Sequence, residues 1–133
     1  MLTYICAWVA AGLAFLALDA VWLSQMTPRL YKPMMGEMMR ANTDFAAAGI
    51  FYVIYVSAIV FFAVAPALEQ QSLSKAITTG AILGFVAYAT YDLSNQATLK
   101  MWDWKLTLAD MAWGTFATAV AAGVAYAVSS RLT

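Results

Sequence analysis

The sequence predicts an all-α integral membrane protein, built as a bundle of four transmembrane helices with a short interfacial helix between the first two. Hydrophobic residues make up 64% of the 133 residues and charged residues only 11%, a composition far from that of soluble domains. Four separate apolar stretches each reach the length of about 20 residues that a helix needs to cross a bilayer. Because these stretches use most of the chain, we expect residues 1–133 to form one transmembrane domain.

The four predicted spans are joined by short connections, with one exception. The first is expected to be a permanent span, because the residues before it include no basic side chain and the apolar run is too long for a signal peptide. Pro66 is expected to end the second span, and the polar residues 69–72 then form a turn. The loop 100–105 is similarly tight. The predicted spans are about residues 3–26, 45–65, 74–99 and 106–129.

Residues 27–44 form the one longer connection, and their pattern predicts an interfacial helix. Pro33 fits the first position of a helix. The methionines that follow it recur at spacings typical of one helical face, so this segment is expected to lie at the level of the lipid headgroups. A copper(I) site of thioethers is the alternative for this cluster, against ordinary packing by flexible methionine side chains. The four methionines are Met34, Met35, Met38 and Met39.

The distribution of basic residues predicts how the bundle is oriented. Five of the seven lie in or beside the first and third loops, and two lie on the opposite side. Because basic loops face the cytoplasm, loops 27–44 and 100–105 are expected to be cytoplasmic. Both termini are then expected to face the periplasm, in the inner membrane of a bacterium. The first group comprises Arg29, Lys32, Arg40, Lys100 and Lys105, and the second Lys75 and Arg131.

Three aspartates, Asp19, Asp92 and Asp110, lie inside predicted spans. A carboxylate in hydrocarbon is costly, so each one is a functional-site hypothesis. Because successive spans run in opposite directions and a helix rises about 1.5 Å per residue, all three are expected in the same half of the membrane. A structural role, fastening helices through hydrogen bonds, is the alternative for each aspartate taken alone. Together, the three favour a pocket.

Aromatic and polar residues are predicted beside these aspartates. Residues three or four positions from each aspartate share its helical face, and the second span contributes two tyrosines at a comparable depth. Trp22 and Trp113 have an alternative role in the interfacial aromatic belt, to which Tyr31, Trp102 and Trp104 are assigned. The predicted site for a ligand or a proton comprises Asp19, Trp22, Tyr52, Tyr55, Tyr88, Tyr91, Asp92, Asn95, Asp110 and Trp113.

Five stretches carry a family resemblance: LDAVWL at 18–23, GIFYVIY at 49–55, FAVAPAL at 62–68, YATYDLSNQAT at 88–98 and DMAWGT at 110–115. They resemble a family of small bacterial four-helix membrane proteins that is catalogued only as a domain of unknown function. The resemblance covers nearly the whole chain. It implies four spans and the positions of the acids, and it implies no activity.

The predicted pocket favours a protein that binds or transports a small lipophilic or cationic solute. Burial disfavours the charged form of a carboxylate and carboxylates compete for protons, so at least one aspartate is expected to carry a proton and to couple it to the solute. Aromatic faces attract cations and flat apolar molecules. A homodimer is expected for a transporter, because four short helices barely enclose a pathway.

Two other functions stay open from the sequence. One is a membrane-embedded acid/base enzyme acting on a lipid or isoprenoid, with Asp92 and Asp110 as proton donor and acceptor. The other is an accessory subunit of a larger membrane complex. The chain has no histidine, which excludes His-based metal sites and Ser-His-Asp triads. Neither a metal nor a cofactor is predicted, and the zero net charge does not suggest nucleic acid as a partner.

Overall fold

The computed structural model describes residues 1–132, and the regular structure in this part of the chain is helical throughout. Four helices are long and apolar enough to cross a membrane. The predicted class, an all-α protein with four transmembrane helices, is thereby confirmed. We refer to these helices as spans 1 to 4: Leu2–Met38, Phe45–Gln70, Leu73–Thr98 and Trp104–Leu132.

Spans 2, 3 and 4 each begin at a polar side chain that caps the helix. Asp44, Ser72 and Asp103 accept hydrogen bonds from backbone N–H groups two or three residues later, at 3.1, 3.0 and 2.7 Å respectively. The first turn of a helix leaves such N–H groups without partners in the helix, and short polar side chains satisfy them. The three caps therefore define where these spans begin.

The separate interfacial helix predicted for residues 27–44 is not confirmed, because span 1 continues as a helix to Met38. An α-helix, Leu2–Met26, passes into a π turn, Thr27–Tyr31, and the chain stays helical beyond it. Pro28 lies in this turn and has no N–H to donate to the preceding turn, which favours the wider π geometry. One extra residue in a turn rotates the following side chains by about 100°.

Span 2 contains a second π turn, Val60–Val64, and also continues past the point where its end was predicted. The N–H of Ala65 donates to the carbonyl of Val60, and Pro66 then lies at the start of a further α-helix, Ala65–Gln70. Proline is tolerated at such a position because its missing N–H is not needed there. The prediction that Pro66 ends the span is therefore wrong.

Span 4 is the centre of the bundle, and it packs most extensively against spans 3 and 1. Small residues allow this close approach. The α-carbon of Gly84 in span 3 lies against the carbonyl of Gly114 and the side chain of Thr118, with no room for a methyl group. On the other side of the bundle, Phe15 is fully buried against the rings of Tyr52 and Tyr55.

Span 2 packs against span 3 through only one of its halves. The segments Val60–Val64 and Ala65–Gln70 contact span 3, whereas Phe45–Ile59 makes almost no backbone contact with it. Spans 2 and 3 therefore diverge towards the membrane face at which span 2 begins and span 3 ends. A cleft is left between them on that side.

Candidate functional site

A cavity of about 390 Å³ lies among the four spans. Asp110 follows the start of span 4 by six residues, and Tyr91 precedes the end of span 3 by seven. Because span 3 ends where span 4 begins, both residues lie about 9–10 Å from one end of the bundle. Seven of the ten predicted site residues line the cavity: Asp19, Trp22, Tyr55, Tyr88, Tyr91, Asp110 and Trp113. The lining also includes Leu23, Tyr31, Met35, Phe51 and Ala87.

Two tyrosines from different spans hold the two carboxylates on the cavity wall. The hydroxyl of Tyr52 donates to Asp19, and the hydroxyl of Tyr31 donates to Asp110. The indole N–H of Trp22 in turn donates to the Tyr31 oxygen at 2.8 Å. Each carboxylate is thus oriented by a hydroxyl group, and its other oxygen has no hydrogen bond from these tyrosines.

Tyr31 was assigned to the interfacial belt from the sequence, and this assignment is wrong. Its side chain connects Trp22 with Asp110, and one turn later Met35 joins it on the cavity wall. In an uninterrupted α-helix, Leu30 would lie under Asp19, three turns away, and Tyr31 would point about 100° aside. The π turn at Thr27–Tyr31 rotates Tyr31 to the side of the helix that faces Asp110. Pro28, which lies in this turn, is the signal of it in the sequence.

Trp22 and Trp113 stack face to face across spans 1 and 4. Their ring centroids are 4.5 Å apart and their planes differ by 8°. The indole nitrogen of Trp113 is buried and has no hydrogen-bond partner among residues 1–132. The pair therefore presents a broad aromatic wall to the cavity, and the unpaired N–H of Trp113 is buried behind it.

Asp92 is fully buried and lies off the cavity wall, beside Asp110. Neither of its carboxyl oxygens receives a hydrogen bond from any N–H or O–H group that the structure describes. Asp110 is the neighbouring carboxyl group, and spans 3 and 4 approach each other one turn away, where the hydroxyl of Thr107 lies 3.5 Å from the backbone oxygen of Asp92. A buried carboxylate with no donor is costly, and a proton on one of the two groups would satisfy both. The three aspartates thus divide into a pair and a separate carboxylate, Asp19.

A ring of hydrogen bonds lies between Asp92 and the loop that follows span 3. The indole N–H of Trp102 donates to the hydroxyl of Thr107 at 2.9 Å, and this hydroxyl donates to the side-chain oxygen of Gln96 at 2.8 Å. The amide nitrogen of Gln96 donates to the Trp102 carbonyl at 3.0 Å, which closes the ring.

Trp102 is only 7% exposed, so its assignment to the interfacial belt is also wrong. Trp104 is 59% exposed.

The surroundings differ among the other four residues of the predicted site. Tyr52 reaches the site through its hydrogen bond to Asp19 without lining the cavity. The hydroxyls of Tyr55 and Thr118 hydrogen-bond at 2.8 Å. Tyr88 packs its ring on the α-carbon of Gly114. Asn95 is half-buried and does not line the cavity.

The charged side chains that line the cavity are all acidic. Asp19 and Asp110 are its charged lining residues, and no lysine or arginine lines it. All seven basic side chains of the chain are exposed. Within residues 1–132, no group of three or more His, Cys, Asp or Glu side chains is placed to hold a metal ion. The cavity is therefore chemically suited to a positively charged group with apolar substituents.

Comparison with known proteins places the whole bundle in one family. Residues 4–127 match the family model described as "Predicted membrane protein (DUF2177)". No curated protein and no solved structure matches the chain. Because this match covers nearly the whole chain, the chain belongs to this family of predicted membrane proteins, whose function is unknown.

Proposed function

We propose that the cavity binds a small lipophilic cation and releases a proton when the cation enters, either for binding alone or for transport. The observation that carries this proposal is the charge of the wall, on which Asp19 and Asp110 face the cavity with no basic partner. A buried charge without a counter-charge is unfavourable by several kcal/mol. A bound proton or a bound cation removes this penalty, and the two therefore compete.

The rest of the wall is suited to the apolar part of such a ligand. The stacked rings of Trp22 and Trp113 and the neighbouring tyrosines offer aromatic faces, which attract cations by about 0.5–2 kcal/mol each. A volume of about 390 Å³ lies near the lower end of the range for small-molecule sites. A monovalent amine or quaternary ammonium with one aromatic ring fits this description.

The pair formed by Asp92 and Asp110 supports the coupling to protons. A cation beside Asp110 stabilises the charged form of that carboxyl group and so weakens the affinity of the pair for its proton. The proton leaves to solvent while the cation is bound. One proton is thus expected to be released for each cation bound.

The proposal is tested by titrating benzyltrimethylammonium into the purified protein in lipid nanodiscs. Binding is followed by tryptophan fluorescence, to which Trp22 and Trp113 on the cavity wall contribute with the other three tryptophans, and proton release is followed by an indicator dye. Asp110→Asn and Asp19→Asn are each expected to weaken binding at least tenfold, because unit charges 4 Å apart attract by about 4 kcal/mol near a protein surface. Asp103→Asn is the matched control, since Asn also caps a helix.

Equal affinity in all three variants would refute a role for the cavity carboxylates. Binding without proton release in the unmodified protein would leave a cation site and remove the coupling. Both results are independent of whether the protein also transports the cation, which is tested separately by uptake into liposomes.

A second function is supported by the same carboxyl pair. Two adjacent carboxyl groups, Asp92 buried and Asp110 on the wall, are typical of acid/base catalysis. We propose as the alternative an enzyme that acts on a lipid or isoprenoid. Deletion of the gene would then change the membrane lipid profile, and an unchanged profile in the deletion strain would contradict it.

We also propose that the protein lies in a bacterial inner membrane with the cavity end towards the cytoplasm. The basic residues beside loops 27–44 and 100–105 support this orientation. Alkaline phosphatase fused after Arg131 is expected to be active, because the enzyme works only in the periplasm, and a fusion within residues 100–105 is expected to be inactive. The reverse pattern would mean an inverted bundle. The homodimer stays a prediction.

A further inference from the structure

We propose that the cavity opens sideways into the bilayer between spans 2 and 3, and that its ligand is an amphiphile whose cationic head enters while its alkyl tail stays in lipid. This inference rests on the proposed function, because it takes the cation site as given. It adds the route of entry and the chemical class of the ligand.

The backbone leaves the necessary opening. The backbone of the first half of span 2, Phe45–Ile59, makes almost no contact with span 3, although its second half packs against that span. The rings of Tyr55 and Tyr88 meet edge-on with centroids 6.4 Å apart, so the opening lies one helical turn nearer the loops than this contact. Phe51 in span 2 and Tyr91 in span 3 both line the cavity, yet 47% and 54% of their surfaces are exposed. A side chain that is at once on the cavity wall and on the outer surface marks the edge of an opening. These two residues therefore define the rim of the cleft.

The rim lies at the depth of acyl chains. Phe51 follows the start of span 2 by six residues, and Tyr91 precedes the end of span 3 by seven, so both are about 9–10 Å from the helix ends. A helix of 26 residues such as span 3 is about 39 Å long, against about 30 Å of hydrocarbon. The rim is thus a few ångströms inside the hydrocarbon, where a headgroup can reach the acids while its tail follows the neighbouring chains.

Ring contacts hold the rim, and side chains of span 1 line the cavity on the side towards the loops. Phe51 stacks on Tyr55 with centroids 5.3 Å apart, and Tyr91 packs edge-on against Trp102 at 5.7 Å. On the loop side, Tyr31 and Met35 follow Trp22 along span 1 and form part of the wall. Tyr31 is tied there by its hydrogen bonds to Trp22 and Asp110. An amphiphile in the membrane therefore reaches the cavity by the cleft between spans 2 and 3 without passing Tyr31 and Met35.

The first test compares ligands of increasing tail length. Octyl-, dodecyl- and hexadecyltrimethylammonium are titrated into the protein in phosphatidylcholine nanodiscs. Each dissociation constant is calculated from the concentration of ligand in the bilayer, so that partitioning into lipid does not affect the comparison. If the tail stays in lipid, the three affinities agree within about threefold. If the cavity must enclose the whole ligand, affinity falls at least tenfold from octyl to hexadecyl, because a hexadecyl chain does not fit with its head into the available volume. That fall overturns the inference.

The second test closes the cleft. In a Cys6→Ala background, Phe51→Cys and Tyr91→Cys are tied with a short bis-maleimide, and the matched control is the same protein treated with N-ethylmaleimide. Exchange of bound hexadecyltrimethylammonium is expected to slow at least tenfold in the tied protein only, and equal exchange rates contradict the lateral route. Benzyltrimethylammonium separates the two proposals. If it binds while the tailed ligands do not, the cation site stands and the cleft fails; if nothing binds, the proposed function itself fails.

Discussion

Gly84→Ala is expected to lower the stability of the bundle by about 3 kcal/mol, the upper part of the usual range for overpacking. A β-carbon at this position would lie 2.8 Å from two atoms of Thr118 and in collision with the carbonyl oxygen of Gly114. The carbonyl belongs to a helix backbone, which cannot rotate away as a flexible side chain can. Spans 3 and 4 would have to separate, and theirs is the most extensive contact in the protein.

Gly49→Ala provides the matched control, because it makes the same change in an exposed position of span 2. No atom lies within 4 Å of the methyl group added there, and alanine is the better helix former by about 1 kcal/mol. Unfolding of both variants in mild detergent, titrated with a denaturing detergent, measures the difference. Equal stabilities would show that spans 3 and 4 are not in the close contact described.

Asp92→Asn is expected to retain cation binding and to make it independent of pH. In the unmodified protein, release of one proton per cation tightens binding tenfold for each unit of rising pH while the pair is protonated, because one unit corresponds to about 1.4 kcal/mol. An amide at position 92 donates a hydrogen bond to Asp110 without a transferable proton. The titratable groups that interact electrostatically with Asp92 are Asp110, Tyr31 and Tyr91, and the substitution leaves all three in place.

This prediction is measured as the affinity for benzyltrimethylammonium at three pH values spanning two units. A hundredfold change in the unmodified protein should shrink to less than threefold in Asp92→Asn. Asp44→Asn is the control, because this surface aspartate only caps span 2 and pairs with Arg40 at 3.8 Å. If Asp92→Asn keeps the full pH dependence, the proton comes from another group.

The features predictable from the sequence are those that depend on composition and on regular spacing. Long apolar runs predict four spans because a bilayer requires them, and the start of span 2 agrees with its prediction at residue 45. The shared face of Tyr88 and Tyr91 follows from regular α-helical periodicity, and both line the cavity. Where the helix is regular, counting residues identifies the side chains that share a face.

The features that could not be predicted arise where the helix is irregular or where two residues are equivalent by pattern. A π turn changes the direction in which Tyr31 points from the helix axis, and counting residues from Asp19 does not reveal this change. Asp92 and Asp110 have the same chemistry and similar depth, yet one is buried off the wall and the other lines the cavity. This difference depends on how spans 3 and 4 rotate against each other, which periodicity alone does not define.

The central position of span 4 has a consequence for how the protein is made. A chain is synthesised from its N-terminus, so spans 1 to 3 enter the membrane before the helix that packs most extensively against spans 1 and 3. Until then Asp92 has no neighbouring carboxyl group with which to share a proton, and Trp22 has no ring on which to stack. A chain that ends before span 4 is therefore expected to lack the contacts that hold these side chains, and to be less stable in the membrane than the complete bundle.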